Sequence, residues 1–238
     1  MAKLMLIGGG EVGRGNTEYE TEKIDEEVVK MTDKVQPNFL FIGLASSFSD
    51  SYYDTMKKIY RELGCTCVYL KKKNILNNPN IVKEKIENAD IIYLGGGDTI
   101  KLVQDLKKYK IDVLLKEAYN NNKVLVGISA GAIALSKDGY SDAYKLRGES
   151  DSYDFVDGLG FVDISFCPHY EKDSERRTDL IEDLKMENKE VFALENNTAL
   201  KVVDQEYTVI RSQDNKKAYL CQLKDNLLDE ISLECGRL

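Results

Sequence analysis

The sequence predicts an α/β fold with a mostly parallel central sheet, helices on both faces and antiparallel strands added towards the C-terminus. Three features carry that expectation. Over the first two-thirds, short β-branched apolar runs alternate with amphipathic helical segments, the pattern of a sheet wound through crossover helices. Two of those runs stop at clusters of small residues, Gly95-Gly96-Gly97 and Gly127-Ile128-Ser129-Ala130-Gly131, where a strand can turn sharply into a helix. In the last third the pattern becomes strand–turn–strand, as antiparallel members of a sheet require.

The elements follow in order. Lys3–Ile7 is an apolar run and the first strand. Residues 17–35 place Ile24, Val28, Met31 and Val35 on one helical face. A strand over 39–44 precedes a helix over 50–63, with Gly64 as its stop signal. Thr66–Leu70 is the third strand and 81–88 a short helix. The nearly all-apolar run 90–94 is the fourth strand and enters the triple glycine directly. Helices over 99–106 and 111–119 lead to a fifth strand over 123–128 and a small-residue helix over 131–135. The polar stretch 137–160 is expected to be an irregular loop or hairpin region near a site. A strand over 164–167 is broken by Pro168, and 174–186 is helical with Leu180, Ile181 and Leu184 inward. Strands over 190–194, 198–203, 207–212 and 218–223 complete the chain, joined by turns such as Asp204-Gln205 and Asp214-Asn215.

Composition narrows the function. At 238 residues, 42% hydrophobic and 31% charged, the chain can bury a substantial core. No repeat or Pro/Ser-rich linker divides it, so residues 1–238 are expected to form one soluble domain. A net charge of −8 argues against a nucleic-acid partner. No apolar run approaches the roughly 18 residues of a membrane span, and the start lacks a signal peptide's long apolar core and cleavage site. Five scattered cysteines argue against a disulfide framework and for a reducing cytoplasm. Cys65 and Cys67 would share one strand face, but no third ligand lies nearby, so no metal is expected there. Lys71-Lys72-Lys73 is expected to be a solvated strand end. The chain has a single histidine, His169, which excludes a multi-histidine metal centre.

Gly127-Ile128-Ser129-Ala130-Gly131 matches the G-x-S-x-G nucleophile elbow and lies between a strand and a helix, as that motif requires. The turn exposes the Ser129 hydroxyl and aims the backbone N–H groups after it at a developing oxyanion. Ser129 needs a base, and His169, at the end of a strand after Pro168, is the one imidazole available. Two carboxylates could orient it. Glu171 stands in His169-Tyr170-Glu171, similar to the His-x-Glu of class I glutamine amidotransferases, while Glu195 follows the strand over 190–194. Gly95-Gly96-Gly97 would supply the other half of the oxyanion hole. Gly8, Gly10 and Gly13 satisfy the dinucleotide pattern G-x-G-x-x-G, but polar chain continues where the helix should start. These glycines are expected to line the rim of the active site instead.

Together, Gly95-Gly96-Gly97-Asp98-Thr99, the elbow with Ala132, Pro168-His169-Tyr170 and Leu194-Glu195 resemble the aspartyl dipeptidase (peptidase E) and cyanophycinase group of serine peptidases. The resemblance runs over nearly the whole chain in order and spacing. It implies a class I glutamine amidotransferase-like fold and a triad of Ser129 as nucleophile, His169 as base and Glu195 as acid. It also implies an oxyanion hole from the N–H groups of Gly97 and Ala130, with no cofactor or metal. The chain departs from the family pattern at Asp98, where members often carry Asn, and in the short stretch before Arg176 and Arg177. Those arginines could pair with a substrate carboxylate, with the Asp98 charge near the pocket. The expected function is hydrolysis of small peptides as an exo- or dipeptidase, with a possible preference for an N-terminal acidic residue. An amidase using the same triad and a non-catalytic ligand-binding module using the glycine loops are the alternatives.

Overall fold

Strand β1 (Lys3–Ile7) lies between parallel β5 (Val124–Ile128) and antiparallel β10 (Thr198–Val203). The computed structural model describes residues 2–47, 49–187, 189–224 and 227–238. Beyond β5 come parallel β4 (Ile91–Leu94), β2 (Asn38–Ile42) and β3 (Thr66–Leu70). Beyond β10 come antiparallel β11 (Glu206–Arg211) and β14 (Cys235–Arg237), for an eight-stranded sheet. Its central strands β4 and β5, and β1 after Lys3, are apolar because both faces are covered. Leu4, Leu6, Ile92, Leu94 and Leu125 face one core with α4 (Pro79–Asn88), α5 (Thr99–Lys108) and α6 (Ile111–Asn120). Their neighbours Met5, Ile7, Ile91, Tyr93 and Val126 face a second core with α1 (Glu22–Lys30) and α2 (Ser49–Glu62).

The remaining strands form a second sheet. Parallel β6 (Ser136–Ser141), β8 (Val162–Cys167) and β9 (Val191–Leu194) are flanked by antiparallel β7 (Asp154–Asp157), β12 (Ala218–Lys224) and β13 (Leu227–Ser232). The fully buried helix α7 (Ala130–Leu135) connects the sheets, and α9 (Glu175–Met186) packs Leu180 and Leu184 against the second. The α/β class with antiparallel C-terminal strands holds, but the single expected sheet is divided in two. Of the two forms expected for 137–160, an irregular loop or a hairpin, the structure has the hairpin: most of β6 pairs antiparallel with β7, with α8 (Ala143–Arg147) between them. Its polar sequence hides the strand because the stabilising partners are distant, such as Lys189 for Asp138 at 3.5 Å. Lys72 and Lys73 start a helix, α3 (Lys72–Asn77), rather than ending a strand, and Lys71 and Lys72 pair with Asp50 and Asp105. No helix among the described residues is long and apolar enough to cross a membrane.

The helix expected over 17–35 is shorter at both ends, and Val35 is fully exposed. Residues 11–20 instead form a hairpin closed by the Val12–Tyr19 bridge and the bonds Gly13 N–H to Glu18 O and Glu20 N–H to Glu11 O. The hairpin is anchored at Asp25, which is fully buried and accepts hydrogen bonds from Tyr19, Thr21 and Tyr60. Burial pushes the Asp25 carboxyl up from 3.8 to about 6, against the opposing pull of those donors. The fold therefore favours the protonated form, so this contribution is present below the ordinary carboxylate pKa and is lost as pH rises through about 6. The loss is on the order of 3 kcal/mol. Urea unfolding of the native chain and Asp25→Asn, followed across this pH window, should show that slope in the first and not in the second.

Candidate active site

The C-terminal ends of β1, β4 and β5 meet at Ser129. Its backbone is left-handed, at φ 52° and ψ −113°, as the sharp elbow requires of a non-glycine residue. The turn is held by Ser129 N–H to Ile7 O at 3.0 Å and Ala132 N–H to Ser129 O at 2.9 Å. His169, just after β8, is also left-handed at φ 53°, and its N–H bonds Gly8 O at 2.9 Å. Residues distant in sequence are brought together this way. His169 Nε2 lies 2.8 Å from Ser129 Oγ, and His169 Nδ1 lies 2.6 Å from Asn196 Oδ1. An amide oxygen can only accept, so the proton belongs on Nδ1 and the Nε2 lone pair faces the Ser129 hydroxyl. Burial, and then the Arg176 cation, push the His169 pKa below its ordinary 6.5 against the pull of Asn196, Asp142 and Glu171. At neutral pH the ring is uncharged.

Glu195 does not reach His169. It is buried, and Oε2 accepts the Lys217 N–H at 2.9 Å. Successive side chains at a strand end point to opposite faces, so the neighbouring Asn196 takes the place expected of Glu195. Glu171 does not touch the imidazole either. Its Oε1 accepts Asn196 N–H at 2.8 Å and its Oε2 pairs with Lys216 Nζ at 2.8 Å. Glu171 thus fixes the backbone of the residue that fixes the histidine.

A cavity of about 320 Å³ opens over Ser129 and His169. Gly9, Gly10, Glu11, Arg14 and Glu20 line it together with Ser46, Tyr52, Gly96 and Gly97. Gly97, at φ 137°, passes so close to Ala45 that a Cβ would lie 2.5 Å from its carbonyl oxygen. Ala130 is the first residue of α7, where a backbone N–H has no partner within the helix. Gly9, at φ 147°, lies against the His169–Asn196 pair, and a Cβ there would sit 2.2 Å from Asn196 Oδ1 and 2.4 Å from His169 Nδ1. Of the glycines that imitate a dinucleotide motif, Gly10 lines the cavity and Gly8 bonds the His169 N–H through its carbonyl, whereas Gly13 lies in the hairpin against Tyr19. The residue against the imidazole is Gly9, between the first two.

The three residues expected to meet the substrate lie elsewhere. Asp98 caps α5 through the Lys101 N–H at 2.9 Å and pairs with Arg147 at 2.9 Å, so its charge is taken up locally. Arg176 is 5% exposed, bonded to Tyr140 O at 3.0 Å and paired with Asp142 at 3.1 Å. Arg177 makes a two-pronged pair with Glu230 at 3.0 and 2.7 Å. Neither arginine lines the cavity. The sequence reading missed Asn196, Arg14 and Tyr52. Asn196 was signalled only by its place beside Glu195, and Arg14 by polar residues too dense in glycine to suggest order.

Comparison with known proteins agrees with this architecture. The model of peptidase family S51 matches residues 4–210. The chain is 29% identical over 238 residues to the uncharacterized peptidase YgaJ of Bacillus subtilis, covering 98% of this chain and 97% of that one. It is 24% identical over 228 residues to peptidase E of a Nostoc species, covering 91% and 87%. A solved peptidase from an acI-B1 Actinobacterium superposes with a TM-score of 0.69 at 20% identity, over 99% of this chain and 96% of that chain, which shows a shared fold. The family match runs from β1 into β11 and takes in every residue that meets in the cavity, and the chain belongs to peptidase family S51.

Proposed function

We propose that the chain is a serine peptidase that cleaves short peptides through Ser129, His169 and Asn196. The contact of Ser129 Oγ with His169 Nε2 at 2.8 Å, on a ring whose Nδ1 is engaged by Asn196, carries this reading. Ser129 Oγ attacks the scissile carbonyl carbon as His169 Nε2 takes its proton. The N–H groups of Gly97 and Ala130 receive the oxyanion. The imidazolium gives its proton to the departing amine, and the C–N bond breaks to leave an acyl ester on Ser129. A water deprotonated by His169 hydrolyses that ester and restores the serine. The cavity volume supports a small substrate, standing at the lower end of the roughly 300–1,000 Å³ typical of small-ligand pockets. The five cysteines are unpaired thiols, which supports a place in the reducing cytoplasm.

A fluorophosphonate probe and a dipeptide hydrolysis screen test the reading. The native chain should be labelled at Ser129 and Ser129→Ala should neither label nor hydrolyse. Hydrolysis that survives in Ser129→Ala would refute it. The neutral amide at Asn196 makes a further prediction. With a depressed His169 pKa, the acid limb of kcat/KM should lie below pH 6.5. In Asn196→Asp a carboxylate beside Nδ1–H stabilises the imidazolium, moving that limb upwards by about one unit or more. A limb that stays in place would show that Asn196 does not face the working imidazole.

A further inference from the structure

The cavity contains one guanidinium among its described lining residues, and it comes from the hairpin over 11–20. Arg14 lies at the hairpin tip, where its carbonyl accepts the Thr17 hydroxyl and N–H. Its guanidinium carbon sits 4.4 Å from the centre of the Tyr52 ring. Tyr52 is a firm platform. It is 3% exposed, meets Phe41 edge-on at 4.9 Å, and packs against Gly95, where a Cβ would lie 3.0 Å from its ring. Gly95 stands two residues before Gly97, so one short stretch of chain both packs against the platform and presents an N–H proposed for the oxyanion. The cavity carboxylates do not neutralise Arg14: no ion pair joins it to Glu11 or Glu20 among the described residues, and Glu20 Oε2 instead accepts the Glu11 N–H at 3.0 Å.

We infer that Arg14 is the specificity-determining residue of this site and binds a carboxylate of the substrate. A guanidinium stacked on an aromatic face keeps its N–H edge free, and that edge matches a carboxylate with two parallel hydrogen bonds. Arg176 and Arg177, by contrast, have their donors committed to Asp142, Tyr140 and Glu230. The carboxylate could belong to the side chain of the residue that acylates Ser129 or to the C-terminus of the departing residue. The chemistry at Arg14 is the same for both. This inference rests on the reading of Ser129 as nucleophile only for the direction in which the peptide lies.

Binding separates the two readings, because it needs no turnover. Asp-Ala, Asn-Ala and the C-terminal amide of each are titrated calorimetrically into Ser129→Ala and into Ser129→Ala with Arg14→Met. Arg14→Met should weaken the ligands that carry the recognised carboxylate by about 10- to 100-fold and leave Asn-Ala-amide within about twofold. A loss with Asp-Ala-amide identifies the side chain as the source, and a loss with Asn-Ala identifies the C-terminus. Equal losses for all four ligands, or none, would overturn the assignment. Arg14→Met with an intact Ser129 should still be labelled by the fluorophosphonate. Absence of labelling in the native chain would count against the peptidase reading alone, since the titrations stand without it.

Discussion

His169→Ala is expected to lower kcat/KM on a cleavable dipeptide by about 10³- to 10⁴-fold or more, with the fold intact by circular dichroism. Ser129→Ala should cost about as much, and the double variant should be no worse than the more damaged single one. The reason is that the two groups act as a unit: the hydroxyl is a weak nucleophile until Nε2 accepts its proton, and Nε2 has no other task. Losses that multiplied in the double variant would mean independent roles, which the 2.8 Å contact contradicts. The chain supplies an unusually clean probe. Because His169 is the sole histidine, the imidazole nitrogen resonances in an NMR titration belong to one residue. Their midpoint should lie below 6.5 and coincide with the acid limb of kcat/KM. At neutral pH the chemical shifts should report a proton on Nδ1.

The layers of the fold were legible where local pattern and final environment agree. Strand β1 is apolar because both of its faces are covered, so its run was unmistakable, and Ser129 was legible because an elbow demands small neighbours at fixed positions. Strand β6 was not, because Ser136–Ser141 is polar in sequence and finds its partners, Asp183 for Tyr140 and Lys189 for Asp138, more than forty residues away. The site divides along the same line. Composition alone identified His169 as the available imidazole, but the residue behind it depends on the face presented at the end of β9. A shift of one position exchanges Glu195 for Asn196. The arginines failed for a related reason. An amphipathic helix announces charged residues without saying which of them fold inward onto partners, as Arg176 does onto Asp142. Arg14 gave no such announcement, since its order comes from a hairpin tied to the buried Asp25 through Tyr19.

Gly9→Ala should cripple the enzyme without removing any chemical group. The expected result is a fall in kcat of about 10²-fold or more with a smaller change in KM, because a misplacement of about 1 Å in a reacting group has that effect. A methyl at Gly9 would lie 2.2 Å from Asn196 Oδ1 and 2.4 Å from His169 Cε1, so the pair must separate or swing from Ser129. The backbone adds its own penalty, since φ 147° is a conformation that residues with a Cβ rarely adopt. Those two effects can be told apart. Gly64, at φ 89°, is also outside the region an alanine prefers, but the nearest atom to its Cβ would be Val35 O at 3.7 Å, an ordinary contact far along the chain from the cavity. Gly64→Ala should therefore lose about 1 kcal/mol of stability in urea and keep its activity. If Gly9→Ala lost no more activity than Gly64→Ala, the glycine would serve only the backbone. If it lost activity while a fluorophosphonate reacted with Ser129 at the native rate, the wedge would not be reaching the imidazole. Slow labelling joined to a folded chain is the outcome that the contact with His169 and Asn196 demands.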